Sequence, residues 1–391
     1  MKKIYITGAK RTPMCSLNGA ISSLSAPQFA GFAIKAAWQQ SLNSASSNNT
    51  PSSIIMGNVL MAGQGQAPAR QAAHYGGLGW DIPATTINKM CGSGMQALMF
   101  MANHLHCYGG VGIAGGMESM SQAPHLLTGL RAATRMGHQK IQDSMFVDGL
   151  EDAYEKGALM GVFAERTAKE LNISRQSQDE FALASLSRAL EAVEYTLDNE
   201  ITAIQMEHKK SIITIDQDEQ LASAKPEKIP YLKPAFAPDG TVTAANSSSI
   251  SDGAATLILQ ADQSPPAHAR AKLLGQAHHA ERPEHFTIAP IGAIQKLLDQ
   301  LGWSTKDVDL FEVNEAFAVV ALAARNHFNI APERFNIHGG ACALGHPVGA
   351  SGARIVVTLL NALERHNLKR AIAAICIGGG EATAIAIERI G

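Results

Sequence analysis

The stretch Asn88-Lys89-Met90-Cys91-Gly92-Ser93-Gly94 places a cysteine at a tight turn, immediately before a long apolar run from Met95 to Leu105. The run carries apolar residues at helical spacing and ends in a polar, glycine-rich break, which predicts a buried helix. Cys91 would then lie at or just before a helix N-terminus, where unpaired amides and the helix dipole favour a thiolate. The alternative is an ordinary buried cysteine, since cysteine is among the residues most often found inside proteins.

The composition describes a globular chain of 391 residues, with 46% hydrophobic residues and 32 basic against 34 acidic ones. This charge balance argues against an excess of basic residues that would bind nucleic acid. The five cysteines are odd in number and form no Cys-x-x-Cys pair, which argues against a disulfide framework and a zinc site and favours a reducing compartment. No apolar run approaches the roughly 20 residues of a membrane span. We therefore expect a cytoplasmic protein that binds neither nucleic acid nor membrane.

Strands alternate with helices in the first third of the chain, and this predicts parallel βαβ units. Strand patterns occur at 4–8, 54–60 and 111–114, helical patterns at 26–42, 70–75 and 95–105, and a Ser/Asn-rich loop at 43–53. From about residue 120 to 250 the chain is more charged, with helices predicted at Glu165–Leu171 and from Ser174 to Val193. We interpret this segment as an insertion that covers the core, either as a substrate lid or as a second packing layer.

The last third of the chain repeats the pattern of the first. Gly349-Ala350-Ser351-Gly352 opens an apolar helix much as the cysteine turn opens its own. The predicted strand Ala371–Ile377 ends in a glycine triplet, as Val111–Ala114 leads into Gly115-Gly116. Two similar halves indicate a duplicated α/β fold, with active-site loops where the strand ends of both halves meet.

Three further candidate residues lie at strand ends or between glycine-rich segments. His346 lies in a loop, Cys376 precedes the glycine triplet, and Asn314 ends another strand. A nucleophilic cysteine needs a base that removes its proton and donors that stabilise an oxyanion. Each candidate also has an alternative role, because a lone loop histidine is usually solvated, Cys376 could belong to a buried strand, and Asn314 could cap the following helix.

Together these motifs resemble the thiolase family over the whole length of the chain, in the acetyl-CoA acetyltransferase-type pattern. The matching strings are NKMCGSG at 88–94, GGMESMS at 115–121, GTVTAANSSSISDGAA at 240–255, VNEAFA at 313–318, NIHGGACALGHPVGASG at 336–352 and CIGGGEA at 376–382. The resemblance implies a five-layered α-β-α-β-α core of two halves. It divides the chain into an N-terminal half (1–119 and 251–269), a loop domain over the coenzyme A site (120–250) and a C-terminal half (270–391).

The resemblance also implies a role for each catalytic candidate. Cys91 accepts the acyl group, and His346 activates it. With a water held by Asn314, His346 also polarises the thioester oxygen of the second substrate. Cys376 removes the α-proton for condensation, or protonates the leaving enolate in thiolysis. The amides of Cys91 and Gly378 form the oxyanion hole for the tetrahedral intermediate.

The implied activity is the reversible condensation of two acetyl-CoA molecules to acetoacetyl-CoA and CoA. Coenzyme A thioesters are then substrates, and no metal or resident cofactor is needed. A 3-ketoacyl-CoA thiolase of fatty-acid β-oxidation with broader chain length is the alternative enzyme. A decarboxylating ketoacyl synthase shares the fold, but its Cys-His-His or Cys-His-Asn pattern lacks the second cysteine. The alternative of another class is a non-catalytic acyl-CoA-binding or scaffold protein.

The family pattern further implies a coenzyme A-contacting serine at Ser248 and a pantetheine and acyl pocket at Met160 and Phe236. Leu159 departs from that pattern, because short-chain enzymes typically carry histidine there, and it makes the pocket wall more apolar. Other departures are His338 for Asn, Ser249 for Gly, and Glu381-Ala382 after the glycine triplet. The segment 130–137 resembles the tetramerisation loop of bacterial short-chain enzymes and implies a homotetramer formed as a dimer of dimers.

Overall fold

The computed structural model of this protein describes residues 2–42, 50–132, 136–208 and 211–391. Within these ranges ten α-helices form: α1 Ala26–Leu42, α2 Pro68–Tyr75, α3 Ser93–Tyr108, α4 Met160–Glu170, α5 Arg175–Asn199, α6 Glu219–Ser223, α7 Ala289–Leu301, α8 Ala318–His327, α9 Ala341–Leu344 and α10 Val348–Arg365. The strands of the same ranges are β1 Lys3–Arg11, β2 Cys15–Ser16, β3 Ser53–Gly57, β4 Ala84–Ile87, β5 Gly110–Ser119, β6 His125–Leu127, β7 Ile141–Asp143, β8 Ile204–His208, β9 Ser211–Ile215, β10 Ser251–Asp262, β11 Ala271–Ala280, β12 Leu310–Val313, β13 Arg370–Ile377 and β14 Glu381–Arg389. The loop predicted at 43–53 lies mostly outside the described residues.

One hydrogen-bonded sheet runs through both predicted halves, in the order β12-β13-β14-β11-β1-β10-β5-β3-β4, with β2 paired to β10. The parts of the sheet that belong to the two halves meet at β1. This strand pairs with β10 along most of its length and with β11 only at Ile4–Ile6. The short second pairing lets the sheet continue from one half to the other. The two halves are therefore connected through backbone hydrogen bonds as well as through side-chain packing.

The expectation of parallel βαβ units holds only at the two ends of this sheet. β3 pairs in parallel with β4 and β5, and β12 pairs in parallel with β13. The central pairs, β10 with β5, β1 with β10, β11 with β14 and β13 with β14, are antiparallel. β13 and β14 are antiparallel because a tight glycine turn at 378–380 joins them, and such turns connect antiparallel strands.

Two helices, α3 and α10, pack against each other between the two parts of the sheet. α1 and α2 cover one outer face, and α7 and α8 cover the other. The helices approach closely because a Cβ on Gly94 would lie 2.8 Å from the Ala353 nitrogen, and one on Gly352 would lie 2.6 Å from the Met95 nitrogen. The glycines of the CGSG and GASG strings therefore allow the central contact, and the five-layered α-β-α-β-α architecture is confirmed.

The insertion leaves the sheet at the end of β5 and returns at the start of β10, where Ser119 and Asp252 are antiparallel neighbours. Its helices α4 and α5 pack on α8. The predicted N-cap of α5 is confirmed, because the Ser174 hydroxyl accepts a hydrogen bond from the Ser177 amide at 3.1 Å. None of the helices in the described ranges is long and apolar enough to cross a membrane.

Candidate active site

A pocket of about 380 Å³ opens between the insertion and the strand ends of both halves. Eight of the nine predicted site residues line it: Cys91, Leu159, Met160, Phe236, Ser248, His346, Cys376 and Gly378. Asn314 is buried outside the lining. The remaining lining side chains are mostly apolar, and such a pocket with a few convergent polar groups is typical of a small-molecule site.

The cysteine turn holds Cys91 two residues before the start of α3. Met90 adopts φ +46°, and the turn is braced by Ser93, whose hydroxyl accepts from the Lys89 amide at 2.8 Å and donates to the Met90 carbonyl at 2.7 Å. An apolar cluster that includes Val59, Leu60 and Met120 packs behind the cysteine. The sulfur therefore lies at the pocket wall with little water around it.

Burial raises the pKa of the Cys91 thiol to about 11, although the amides of Gly378 and of Cys91 itself donate toward the sulfur and lower it. The expected resting thiolate is therefore wrong, because the loss of water outweighs the amides and the helix N-terminus. The nucleophile must be deprotonated when substrate binds, which requires a base nearby.

The hydrogen bonds of His346 leave one ring nitrogen free to accept a proton, as such a base would need. Its Nδ1 lies 2.5 Å from the Ser351 hydroxyl oxygen, and that hydroxyl donates to the Pro347 carbonyl at 2.9 Å. Since the hydroxyl has a single proton, its oxygen accepts from His346, and Nδ1 carries the imidazole proton. Nε2 is then an acceptor, and it has no partner among the described residues. Burial, together with the positive charge of Arg354, lowers the pKa of His346 to about 3, so the ring is neutral.

Cys376 lies next to the end of β13 and is 1% exposed. Burial raises the pKa of its thiol well above the usual range, and the neighbouring Cys91 adds to this effect. Gly378 follows two residues later. A Cβ on Gly378 would lie 3.7 Å from the Met160 sulfur, its nearest neighbour, so a side chain at this position would enter the pocket. Two thiols and one imidazole thus share a site in which none of them is charged at neutral pH.

Asn314 extends β12 by one residue, and its amide donates to the Ala374 carbonyl at 3.0 Å. Its side-chain Oδ1 accepts from Arg354 Nη2 at 3.4 Å, and its Nδ2 has no partner among the described residues. Asn314 therefore offers one buried donor, as a group that stabilises an oxyanion would.

The predicted coenzyme A side of the pocket is formed by the insertion and the loop before β10. Ser248 is fixed to the Ala316 carbonyl by its amide and by its hydroxyl, each at 3.0 Å. The Phe236 ring packs edge-on against Phe317, and a Cβ on Gly161 would lie 2.4 Å from that Phe236 ring. The glycine in the first turn of α4 therefore lets the aromatic wall close over the helix.

Three contributors were missed in the sequence. Ser351 sets the His346 tautomer, and Arg354 contacts Asn314. Glu118 is fully buried and accepts from the amides of Val59, Leu60 and Gly349, and burial raises its pKa to about 7. The sequence feature that could have revealed Glu118 and Arg354 is their charge. Both stand within mostly apolar elements, and charged residues are rarely buried without a partner.

The departures from the family pattern form contacts of their own. Glu381 makes an ion pair with Lys89, which joins the cysteine turn to the turn after Gly378. The Ser249 carbonyl accepts from the His346 amide at 3.0 Å. His338 lies beside His366, with Nε2 atoms 3.3 Å apart, and its Nδ1 is 3.9 Å from a Glu200 carboxylate oxygen.

Because the half-buried Cys91 rests as a thiol with a raised pKa, its alkylation by iodoacetamide should accelerate about tenfold per pH unit between about pH 6 and 10. The rate is measured by mass mapping at a fixed reagent concentration, with the exposed Cys107 as the reference thiol in the same sample. Saturating acetyl-CoA should protect Cys91 and leave Cys107 reactive. A Cys91 rate that levelled off below about pH 8 would mean a preformed thiolate and contradict the assigned resting state.

Two family models match the chain in succession. Residues 4–263 match the thiolase N-terminal domain, and residues 267–389 match the thiolase C-terminal domain. The acetyl-CoA acetyltransferase of Pseudomonas aeruginosa is 41% identical over 396 residues, which cover 100% of both chains. The mitochondrial acetyl-CoA acetyltransferase B of Xenopus laevis is 44% identical over 397 residues, covering 100% of this chain and 93% of the relative.

Solved structures agree with these matches. The Acat5 thiolase of Ascaris suum, in complex with coenzyme A, superposes with a TM-score of 0.90 at 38% identity over 100% of both chains. The acetyl-CoA acetyltransferase of Bacillus anthracis superposes with a TM-score of 0.94 at 34% identity, covering 100% of this chain and 99% of that one.

Proposed function

The chain belongs to the thiolase family, and on this basis we propose that it catalyses the reversible condensation of two acetyl-CoA molecules to acetoacetyl-CoA and CoA. It is an acyltransferase in which Cys91 carries the acyl group between the two half-reactions. The observation that carries the proposal is the meeting of Cys91, His346 and Cys376 in one pocket, with the Gly378 amide directed at the Cys91 sulfur.

In the first half-reaction His346 Nε2 takes the Cys91 proton, and the sulfur attacks the thioester carbonyl. The amides of Cys91 and Gly378 donate to the oxygen that becomes negative. When the carbon–sulfur bond to CoA breaks, the leaving sulfur takes a proton from Cys376. This leaves an acetyl group on Cys91, a protonated His346 and a Cys376 thiolate, which is the base that the next step needs.

In the second half-reaction the Cys376 thiolate removes the α-proton of a second acetyl-CoA. His346 Nε2–H, with a water held by Asn314 Nδ2, donates to the enolate oxygen, which is where charge develops. The enolate carbon attacks the acetyl carbonyl on Cys91, and the bond to the cysteine sulfur breaks. That sulfur recovers its proton from His346, so every group returns to its starting state and no resident cofactor takes part.

The relatives named acetyl-CoA acetyltransferase favour acetyl-CoA over the broader-chain alternative. The test is a steady-state panel of 3-ketoacyl-CoA substrates of increasing length, combined with the mass of the intact protein after incubation with acetyl-CoA. Turnover greatest on the four-carbon substrate and a single added acetyl group are expected. A protein that binds acetyl-CoA but never becomes acetylated would be the non-catalytic alternative.

Replacing Leu159 by histidine should narrow the substrate range toward acetoacetyl-CoA. The apolar wall of Leu159 tolerates extra methylenes, each worth roughly 0.8 kcal/mol when buried, so the six- to four-carbon ratio of kcat/KM should fall roughly tenfold. Leu159→Met keeps the wall apolar and serves as the control, with an unchanged ratio. If the histidine variant kept the wild-type ratio, the residue at position 159 would not determine the chain-length preference.

We further propose a homotetramer formed as a dimer of dimers, located in the cytoplasm and acting in fatty acid metabolism. The support for the tetramer is the segment 130–137, part of which lies outside the described residues. The support for the compartment is the odd number of cysteines. Light scattering at micromolar concentration should give the tetramer mass, whereas a dimer at that concentration would contradict the assembly.

A further inference from the structure

A buried arginine lies directly behind the candidate site. Arg354 is on the central helix α10, is 1% exposed, and donates from Nη1 to Glu312 at 3.1 Å and from Nη2 to Asn314 Oδ1 at 3.4 Å. Glu312 lies on β12, two residues before Asn314, and is 3% exposed. The guanidinium therefore connects the central helix layer to the strand that presents Asn314.

The contact determines which way the Asn314 amide faces. A guanidinium has five donors and no acceptor, so the atom of the Asn314 side chain that faces Arg354 must be the oxygen. The nitrogen then lies on the opposite side, and it has no partner among the described residues, in a side chain that is fully buried. If the amide were reversed, two donors would meet at Arg354 and an oxygen would replace the donor that the proposed mechanism uses.

We propose that Arg354 is a positioning residue for the second half-reaction, which holds the Asn314 amide so that Nδ2 binds the water that donates to the enolate oxygen. Glu312 accepts from the guanidinium and holds it in place. The inference rests on the proposed function, and it assigns to Arg354 a task beyond the ion pair with Glu312.

The task is specific to one half-reaction. Acetylation of Cys91 relies on the amides of Cys91 and Gly378, which Arg354 does not contact. Removal of the α-proton from the second substrate relies on Asn314. A loss of orientation should therefore slow the exchange of acetyl-CoA α-protons with deuterated water and leave acetylation of Cys91 in place, with little change in KM.

The test is a double-mutant cycle between Arg354→Lys and Asn314→Ala. Lysine keeps the charge beside Glu312 but cannot reach two partners with a planar fork. Loss of a preorganised donor to an oxyanion costs about 10²–10³-fold, so Asn314→Ala should slow α-proton exchange by about that factor and Arg354→Lys by about 10–100-fold. If Arg354 acts through Asn314, the double variant exchanges no more slowly than Asn314→Ala alone.

Two further variants keep the result interpretable. Arg354→Met combined with Glu312→Leu replaces the buried ion pair by apolar side chains, which proteins often tolerate, and it should show the same selective loss if the lysine variant fails to fold. Arg11→Lys is the matched control, because Arg11 is equally buried and ion-paired but contacts Glu200 and Asp218 away from the pocket. It should leave the ratio of the two half-reactions unchanged.

The outcomes separate the two proposals. Losses that multiply in the double variant, wild-type exchange in Arg354→Lys, or a parallel loss of Cys91 acetylation would each overturn the positioning role while the proposed function stands. A wild-type protein that is not acetylated at Cys91 by acetyl-CoA would overturn the proposed function and the inference with it.

Discussion

Replacing Cys376 by alanine should leave Cys91 able to accept an acetyl group from acetyl-CoA, visible as a stable mass increase of the intact protein. The leaving CoA sulfur can take its proton from water when Cys376 is absent. Condensation and exchange of the acetyl-CoA α-protons should be lost, because no base then reaches that carbon. General acid–base groups contribute on the order of 10²–10⁴-fold, and we expect a loss within this range.

Cys91→Ala is the complementary variant. It should form no covalent acetyl adduct and should lose condensation, while Cys376 and His346 stay in place. Cys107→Ala, at an exposed thiol outside the pocket, should behave as wild type in both half-reactions. If Cys376→Ala exchanged α-protons at the wild-type rate, His346 or another group would be the base, and the mechanism would fail at its central step.

A second large effect is expected on stability from Arg11, whose guanidinium donates to Glu200 at 3.0 Å and to both oxygens of Asp218 at 2.7 and 2.8 Å. All three side chains are at most 3% exposed. Arg11→Met leaves two buried carboxylates without their cation, and breaking a buried pair in this way costs roughly 3–5 kcal/mol of unfolding free energy. Urea unfolding at pH 7 measures the loss. Arg166→Met, which breaks an exposed pair with Glu155, should change stability far less.

The pH dependence of this loss has a definite sign. Burial alone raises the pKa of Glu200, but the nearby His338 and the charge and hydrogen bond of Arg11 hold it at about 2, below its usual 4.5. A depressed pKa contributes stability that is present above about pH 4.5 and is lost as the pH falls toward 2. The difference between wild type and Arg11→Met should therefore shrink over that interval. A constant difference would mean that the charge of Glu200 does not carry the effect.

The sequence was sufficient to identify the candidate catalytic residues that share the pocket, because each of them stands in a local pattern. Cys91, His346 and Cys376 all lie within two residues of a glycine at strand or helix ends, where a side chain can reach a pocket, and the structure brings these three together. Asn314 was predicted as well, but its orientation depends on an arginine that lies 40 residues further along the chain.

What could not be predicted depends on distant contacts or on solvent. Arg11 pairs with Asp218, which lies 207 positions further along the chain, and no local sequence pattern predicts that pairing. The join of the two halves rests on three residue pairs between β1 and β11. The thiolate expected at Cys91 was wrong because the helix N-terminus is visible in sequence, whereas the apolar cluster that removes water from the sulfur is assembled from several segments.

The position of the insertion between β5 and β10 has a consequence for synthesis of the protein on the ribosome. β5 is complete at Ser119, but its neighbour β10 begins at Ser251, and β1 has both of its partners in β10 and β11. At the usual rate of translation the ribosome needs on the order of 10 s to make the intervening segment. During that interval the newly made β1 has two open edges and β5 has one, and open strand edges invite pairing with other chains. We therefore expect the yield of folded enzyme to depend on translation speed and on chaperones that cover nascent strands.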